Sequence, residues 1–167
     1  MHDFKGAIFD MDGTLLDSMP VWKRLTQGYL SQFGLHITDQ DYAVTEGFSQ
    51  PQVAQYFIER YPELPIDAQG MMDGMDRLIT ARYETIARPK DGVFPFLEEL
   101  RRRGVKMAIA TLTARRHAEK ALRDRGMLDY FAFMLTIEDV GISKREPDIY
   151  LRAAERLGLR PADCVVF

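Results

Sequence analysis

The chain has 167 residues, 46% apolar and 28% charged, and 22 Lys and Arg against 25 Asp and Glu give a formal net charge of −3. This balance excludes a disordered, collagen-like or coiled-coil chain and lacks the basic footprint of a nucleic-acid binder. No apolar run nears the ~18 residues of a membrane helix, Met1-His2-Asp3-Phe4-Lys5 has no signal-peptide layout, and the single Cys164 leaves no internal disulfide and fits a reducing, cytoplasmic setting.

Residues 5–10 form a short apolar run ending in an acid, which predicts a buried strand. Met11-Asp12-Gly13-Thr14 then reads as a turn. Pro20 suits a first helical turn. Trp22, Leu25, Tyr29 and Phe33 recur at helical spacing, and Gly34 closes the segment. Thr38 is placed to cap a short helix through Tyr42 and Val44. Ser49-Gln50-Pro51-Gln52 reads as a capping box ahead of an apolar face of Val53, Phe57 and Ile58. Asp67 can cap a longer helix through Met71, Met75, Leu78 and Tyr83, in which Gly70 and Gly74 are out of keeping.

After Pro89 the pattern changes. Asp91-Gly92 is a turn, followed by a helix over 93–103, a strand over 105–111, a helix over 113–125, a strand over 133–136, a helix over 147–157 and a strand over 165–167. Such alternation marks parallel βαβ units with right-handed crossovers. The fold class is therefore α/β, with a core of 1–15 and 89–167 and an all-helical insert over 16–88. The run Asp163-Cys164-Val165-Val166-Phe167 has no turn or cap after it and reads as a strand cut at its end.

Three features fall at or just past predicted strand ends, where open α/β sheets build their sites. The first is Asp10-Met11-Asp12-Gly13-Thr14-Leu15-Leu16-Asp17-Ser18. Carboxylates two apart leave an extended chain on one side. One can attack phosphorus, giving an aspartyl phosphate, while the other moves protons. Gly13 would let backbone amides approach phosphate oxygens. The second is Thr111 with Leu112 and Thr113, a hydroxyl and amides leading into a helix; Thr113 alone reads as that helix's N-cap. The third is Ser143-Lys144-Arg145-Glu146-Pro147-Asp148, where a lysine can balance two carboxylates and a phosphate. Its alternative is a solvated basic loop before a helix begun by Pro147. His117, in an Arg-rich helix, reads as a surface residue, and Trp22 as either insert core or cavity lining.

With these in order, the sequence resembles the haloacid dehalogenase superfamily. The carrying residues are Asp10 to Ser18, Ala110-Thr111, and Lys144-Arg145-Glu146-Pro147-Asp148-Ile149-Tyr150. The insert resembles the α-helical cap of the β-phosphoglucomutase-like phosphatases. The resemblance implies a Rossmann-like doubly wound parallel sheet with an inserted cap, and a Mg²⁺-dependent phosphatase. In it Asp10 matches the nucleophile and a metal ligand. Asp12 matches the general acid/base, its backbone carbonyl also facing the metal. Gly13 and Thr14 flank the phosphate, Thr111 matches the phosphate-binding hydroxyl with the Leu112 amide beside it, and Lys144 matches the lysine that steadies nucleophile and phosphate. Gly47-Phe48-Ser49-Gln50 falls where such caps select substrate, so Gly47, Ser49 and Gln50 are candidate substrate contacts.

The chain departs from that pattern in three places. Gln50 and Trp22 stand where mutase members carry an arginine and a histidine, which favours a phosphatase over a phosphosugar mutase. Arg145 replaces the usual proline after the motif lysine. The acidic pair of the family's fourth motif would follow a strand resembling Cys164-Val165-Val166-Phe167, so the core is expected to be C-terminally incomplete. The leading expectation is a monomeric phosphatase of a small phosphorylated metabolite, a sugar phosphate among the candidates, with no nucleic-acid or membrane partner. The alternatives are a truncated, non-catalytic phosphate-binding protein, and the mutase. A signalling receiver domain also pairs an aspartyl phosphate with Thr and Lys, but its acceptor lies deeper in the chain and it has no helical insert.

Overall fold

A computed structural model describes residues 4–141 and 147–167, and all of their side chains but those at 20, 21, 23, 24 and 81–86. The apolar run near the N-terminus becomes β1 (Gly6–Phe9), buried along its whole length. It lies inside a four-stranded parallel sheet in which β5 (Met134–Leu135), β4 (Lys106–Ala110), β1 and β6 (Cys164–Val166) stand side by side in that order. Side chains alternate across the sheet with the period of two that strands impose. Ala7, Phe9, Met107 and Ile109 face one way, onto Leu97 and Leu100 of α5 (Val93–Arg102) and Ala118, Ala121 and Leu122 of α6 (Arg115–Asp124). Ile8, Ala108, Ala110 and Leu135 face the other way, onto Ile149, Ala153 and Ala154 of α8 (Asp148–Arg156). Helices on both faces of a parallel sheet give the α/β, doubly wound arrangement that the alternation predicts.

Between β1 and α5 the chain leaves the sheet. It passes through β2 (Leu16–Asp17) and returns through β3 (Arg88–Pro89), and the two pair antiparallel, Leu16 opposite Pro89 and Asp17 opposite Arg88. The sequence reading contains no trace of this ribbon: two residues per strand carry no periodicity. The intervening helices are α1 (Met19–Leu30), with a 3₁₀ turn at Ser31–Phe33, α2 (Asp39–Thr45), α3 (Gln50–Arg60) and α4 (Ala68–Ile86). A short α7 (Ile137–Val140) follows β5. The helix starts are those the capping residues predict: Thr38 caps α2, Ser49 and Gln52 form a capping box on α3, and the Asp67 carboxylate accepts the Gly70 N–H at 2.7 Å. No helix among the described residues is long and apolar enough to cross a membrane.

These helices have a core of their own, with Tyr29, Leu30, Ala54, Phe57, Met71 and Met75 buried together. Gly74 sits in mid-α4 because the Tyr29 ring of α1 lies against it. A Cβ at that position would stand 2.2 Å from Tyr29 Cε2, and the ring's hydroxyl donates to the Gly70 carbonyl at 3.1 Å. A glycine that weakens the helix locally is thus what lets the two helices approach. Buried Asp41 ties α2 to α3. It accepts hydrogen bonds from the Thr38 amide and hydroxyl, from Tyr56 at 2.7 Å and from Tyr61. Burial alone would raise the Asp41 pKa, but these donors hold it below the usual carboxylate value.

Candidate active site

The parallel register places the site. Phe9 stands opposite Ile109, so the residues just past β1 and β4, Asp10 and Thr111, leave adjacent strands at the same carboxyl end. A cavity of about 750 Å³ opens there between the sheet and the helical segment. Asp10, Asp12, Thr111, Thr113 and His117 line its floor and wall from the sheet side, and Trp22, Gln50, Phe57 and Met75 from the helices.

Beyond β1 the chain turns tightly. Gly13 adopts φ +80°, its N–H donates to the Leu16 carbonyl, and the Leu15 and Leu16 amides return to the Met11 carbonyl. This turn directs Asp10 and Asp12 to one side. Asp10 Oδ1 accepts the Met11 N–H at 2.7 Å. Asp12 is held more firmly. Its Oδ1 accepts from Ser18 Oγ at 2.6 Å and from the Trp22 indole N–H at 2.9 Å, and its Oδ2 accepts from Thr113 Oγ1 at 2.6 Å. The Thr113 N–H in turn donates to Thr111 Oγ1 at 3.1 Å, with both threonines buried. The Asp10 carboxylate also acts outward, adding to the burial that raises the pKa of Tyr150.

The expected site residues therefore divide. Asp10, Asp12, Thr111, Leu112, Gly47 and Gln50 all line the one cavity. Gly13, Thr14 and Ser49 are not on its wall: the Gly13 amide is committed to the turn, and Ser49 is 4% exposed and bonded to Gln52 at the start of α3. Lys144, with Ser143, Arg145 and Glu146, lies outside the described residues. Two expectations need correction. Thr113 is not a helix cap, since α6 starts at Arg115 after Ala114 and the Thr113 hydroxyl goes to Asp12. His117 is not a surface residue: its side chain is 9% exposed, and its Nε2 lies 2.5 Å from Asp76 Oδ1, which also meets Arg116. Burial would raise the Asp76 pKa, but the His117 and Arg116 contacts lower it. These contacts join α4 to α6 across the cavity rim. Ser18, Trp22 and Thr113 were missed as holders of Asp12. The only sequence signal for them is a polar residue, or an indole with one N–H, near a strand end.

The oxygen-rich floor fits a hard divalent cation such as Mg²⁺, which binds through one or two carboxylates and otherwise keeps water and phosphate oxygens. Asp10 supplies a carboxylate on that floor. No group of three or more metal-ligating side chains occurs among the described residues.

Comparison with known proteins agrees with this architecture. A family model described as haloacid dehalogenase-like hydrolase matches residues 4–167. Fructose-1-phosphate phosphatase YqaB of Escherichia coli is 28% identical, over 98% of this chain and 86% of its own length. Hexitol phosphatase A of the same organism is 31% identical, over 97% of this chain and 73% of its own. Among solved structures, β-phosphoglucomutase of Clostridium difficile superposes with a TM-score of 0.80 over 98% of this chain and 75% of its own, at 19% identity.

Proposed function

The chain belongs to the haloacid dehalogenase-like hydrolases, and on that premise we propose that it removes the phosphate from a small phosphorylated metabolite through a covalent intermediate on Asp10. The observation that carries this is the pairing of Asp10 and Asp12 at one cavity floor, with Thr111 beside them and Asp12 held by three donors. A carboxylate oxygen of Asp10 attacks phosphorus and the bond to the leaving oxygen breaks, while Asp12 gives that oxygen a proton. Water then attacks the phosphorus of the aspartyl phosphate, Asp12 takes the proton that this water loses, and phosphate leaves with Asp10 restored. Thr111 and the Leu112 amide hold the phosphate oxygens, and Lys144 offsets their charge. Asp10 and the Asp12 carbonyl would hold Mg²⁺, which would supply charge neutralisation.

In this proposal residues 16–88 form a cap over a core of 1–15 and 89–167. The cap excludes bulk water, and Gln50 at its inner wall contacts the leaving group. Gln50 and Trp22 carry no positive charge for a second phosphate, which supports hydrolysis over transfer within a sugar. The relatives' names point to sugar phosphates as the first substrates to try. A monomer in the cytoplasm completes the reading, and the single cysteine suits that reducing compartment. The test is release of phosphate from an aryl phosphate with and without Mg²⁺, comparing the chain with Asp10→Asn. Loss of turnover in the variant and with chelator is expected; equal rates would refute the assignment.

A further inference from the structure

The helical wall of the cavity is apolar. Met19 and Trp22 of α1, Phe48 just ahead of α3, Val53 and Phe57 of α3, and Met75 of α4 all line it. The aromatic rings offer large apolar faces, and the methionine thioethers adapt to whatever packs on them. The donors on this wall are directed to the protein itself. Thr26 Oγ1 donates to the Trp22 carbonyl at 3.2 Å, Thr45 Oγ1 to the Asp41 carbonyl at 2.8 Å, and Gln50 Nε2 to the Met72 carbonyl at 3.5 Å. The Trp22 indole N–H goes to Asp12. Charge on the lining is negative: Asp10, Asp12 and Glu46 take part in it, and no lysine or arginine does among the described residues. The His117 ring lies against Asp76.

Such a wall treats leaving groups differently. A polyhydroxylated chain would give up water at every hydroxyl and meet few donors in return, and each buried oxygen left without one costs binding. A second phosphate or a carboxylate would face carboxylates with no counter-charge. An apolar ring gains by leaving water, and a cavity of about 750 Å³ is large enough to enclose one beyond the phosphate. We infer that this wall selects phosphate monoesters whose leaving group is an uncharged, ring-bearing, largely apolar alcohol, and discriminates against polyhydroxylated or doubly anionic ones. This selection rests on the phosphatase reading above and narrows its substrate class.

The test compares phenethyl phosphate with fructose 1-phosphate and glycerol phosphate on the full chain. All three are esters of primary alcohols, so the leaving oxygens are alike and the comparison reads the wall rather than intrinsic reactivity. The kcat/KM for phenethyl phosphate should exceed that for either polyol ester by about tenfold or more; equal values, or a preference for a polyol ester, would overturn the selection. Val53 is half-buried on the wall, and Val53→Thr exchanges a methyl group for a hydroxyl at nearly constant volume. It should lower kcat/KM for phenethyl phosphate roughly 3–10-fold and leave that for fructose 1-phosphate unchanged or higher. No loss, or the same loss on both esters, would overturn the selection. A third measurement needs no turnover. In Asp10→Asn, emission of Trp22, the sole tryptophan, titrated with each ester should give a lower Kd for phenethyl phosphate, and a lower Kd for fructose 1-phosphate would overturn the selection. The two levels separate cleanly. If the parent hydrolyses none of the esters, or Asp10→Asn retains the parent rate, the phosphatase reading fails and the selection falls with it. An active parent and an inactive Asp10→Asn beside a preference for the polyol esters refutes the selection alone.

Discussion

Gly74 and Gly28 offer a matched pair of substitutions in the helices above the site. Both are helical glycines, and in an open helix interior alanine is better than glycine by ~1 kcal/mol. Around Gly28 nothing lies within 4 Å of a built Cβ. Gly28→Ala should therefore stabilise the protein by about 0.5–1 kcal/mol. At Gly74 the same gain is set against a Cβ placed 2.2 Å from Tyr29 Cε2 and 2.4 Å from its Cζ and hydroxyl oxygen. Relieving that overlap costs ~1–3 kcal/mol. Moving the ring also disrupts its hydrogen bond to the Gly70 carbonyl, at ~1 kcal/mol. The net expectation for Gly74→Ala is a loss of about 1–3 kcal/mol, or a midpoint lower by roughly 2–12 °C for a chain of this size. Urea and thermal unfolding of the two variants beside the parent give the answer. If both variants are stabilised alike, Tyr29 does not pack on α4 as described, and the α1–α4 contact that roofs the cavity is wrong.

Further outcomes follow from other contacts. Thr113→Val removes the donor to Asp12 Oδ2 and should lower kcat by about 10–100-fold, the worth of a hydrogen bond to a charged group; steady-state kinetics on an aryl phosphate would show no change if Thr113 were merely structural. Asp76→Asn disrupts the link between α4 and Arg116 and His117 of α6, and KM should rise roughly 3–10-fold with a near-parent kcat; a KM that neither this variant nor added salt alters would deny that the link aids closure. Asp41 has a folded-state pKa below the ordinary carboxylate value, so its contribution to stability is fully present above that value and is lost as pH falls through the folded pKa. Unfolding midpoints measured below pH ~4 should decline more steeply for the parent than for Asp41→Asn, and parallel declines would exclude Asp41 as the group responsible.

The legible parts of this molecule are those with repeating patterns. The strand at Gly6–Phe9 and the alternating strands and helices after Pro89 have lengths and flanking glycines that leave few choices. The capped starts at Thr38, Ser49 and Asp67 follow from single side chains that satisfy exposed amides. The Asp10–Asp12 pair was legible because two carboxylates beyond a strand end cannot serve the core. Thr113 was not. A threonine ahead of a helix looks like a cap, and only the parallel register of β4 beside β1 brings its hydroxyl to Asp12. His117 misled in the same way: local sequence shows arginines around it, while its partner Asp76 lies 41 positions away. Gly74 reads as a flaw in α4 by sequence alone, and its reason is Tyr29 on another helix. What sequence pattern cannot carry is the meeting of residues whose partners lie on different elements.

The β2–β3 ribbon also bears on how the chain folds. The first parallel pairing of the sheet joins Gly6 to Lys106, Phe9 to Ile109 and the residues between, across a hundred positions. Closing so long a loop is slow, because its entropy is lost before any contact offsets it. Once Leu16 pairs with Pro89 and Asp17 with Arg88, the flexible path between β1 and β4 shortens about four-fold, which lowers the closure penalty by ~1.2 kcal/mol. The helices are built from neighbouring residues and can assemble early, drawing the ribbon together like a clasp before the sheet zips. A proline at Asp17, which cannot join the ribbon ladder, should then slow refolding more than it hastens unfolding, and the opposite partition in stopped-flow kinetics would place ribbon closure after the sheet.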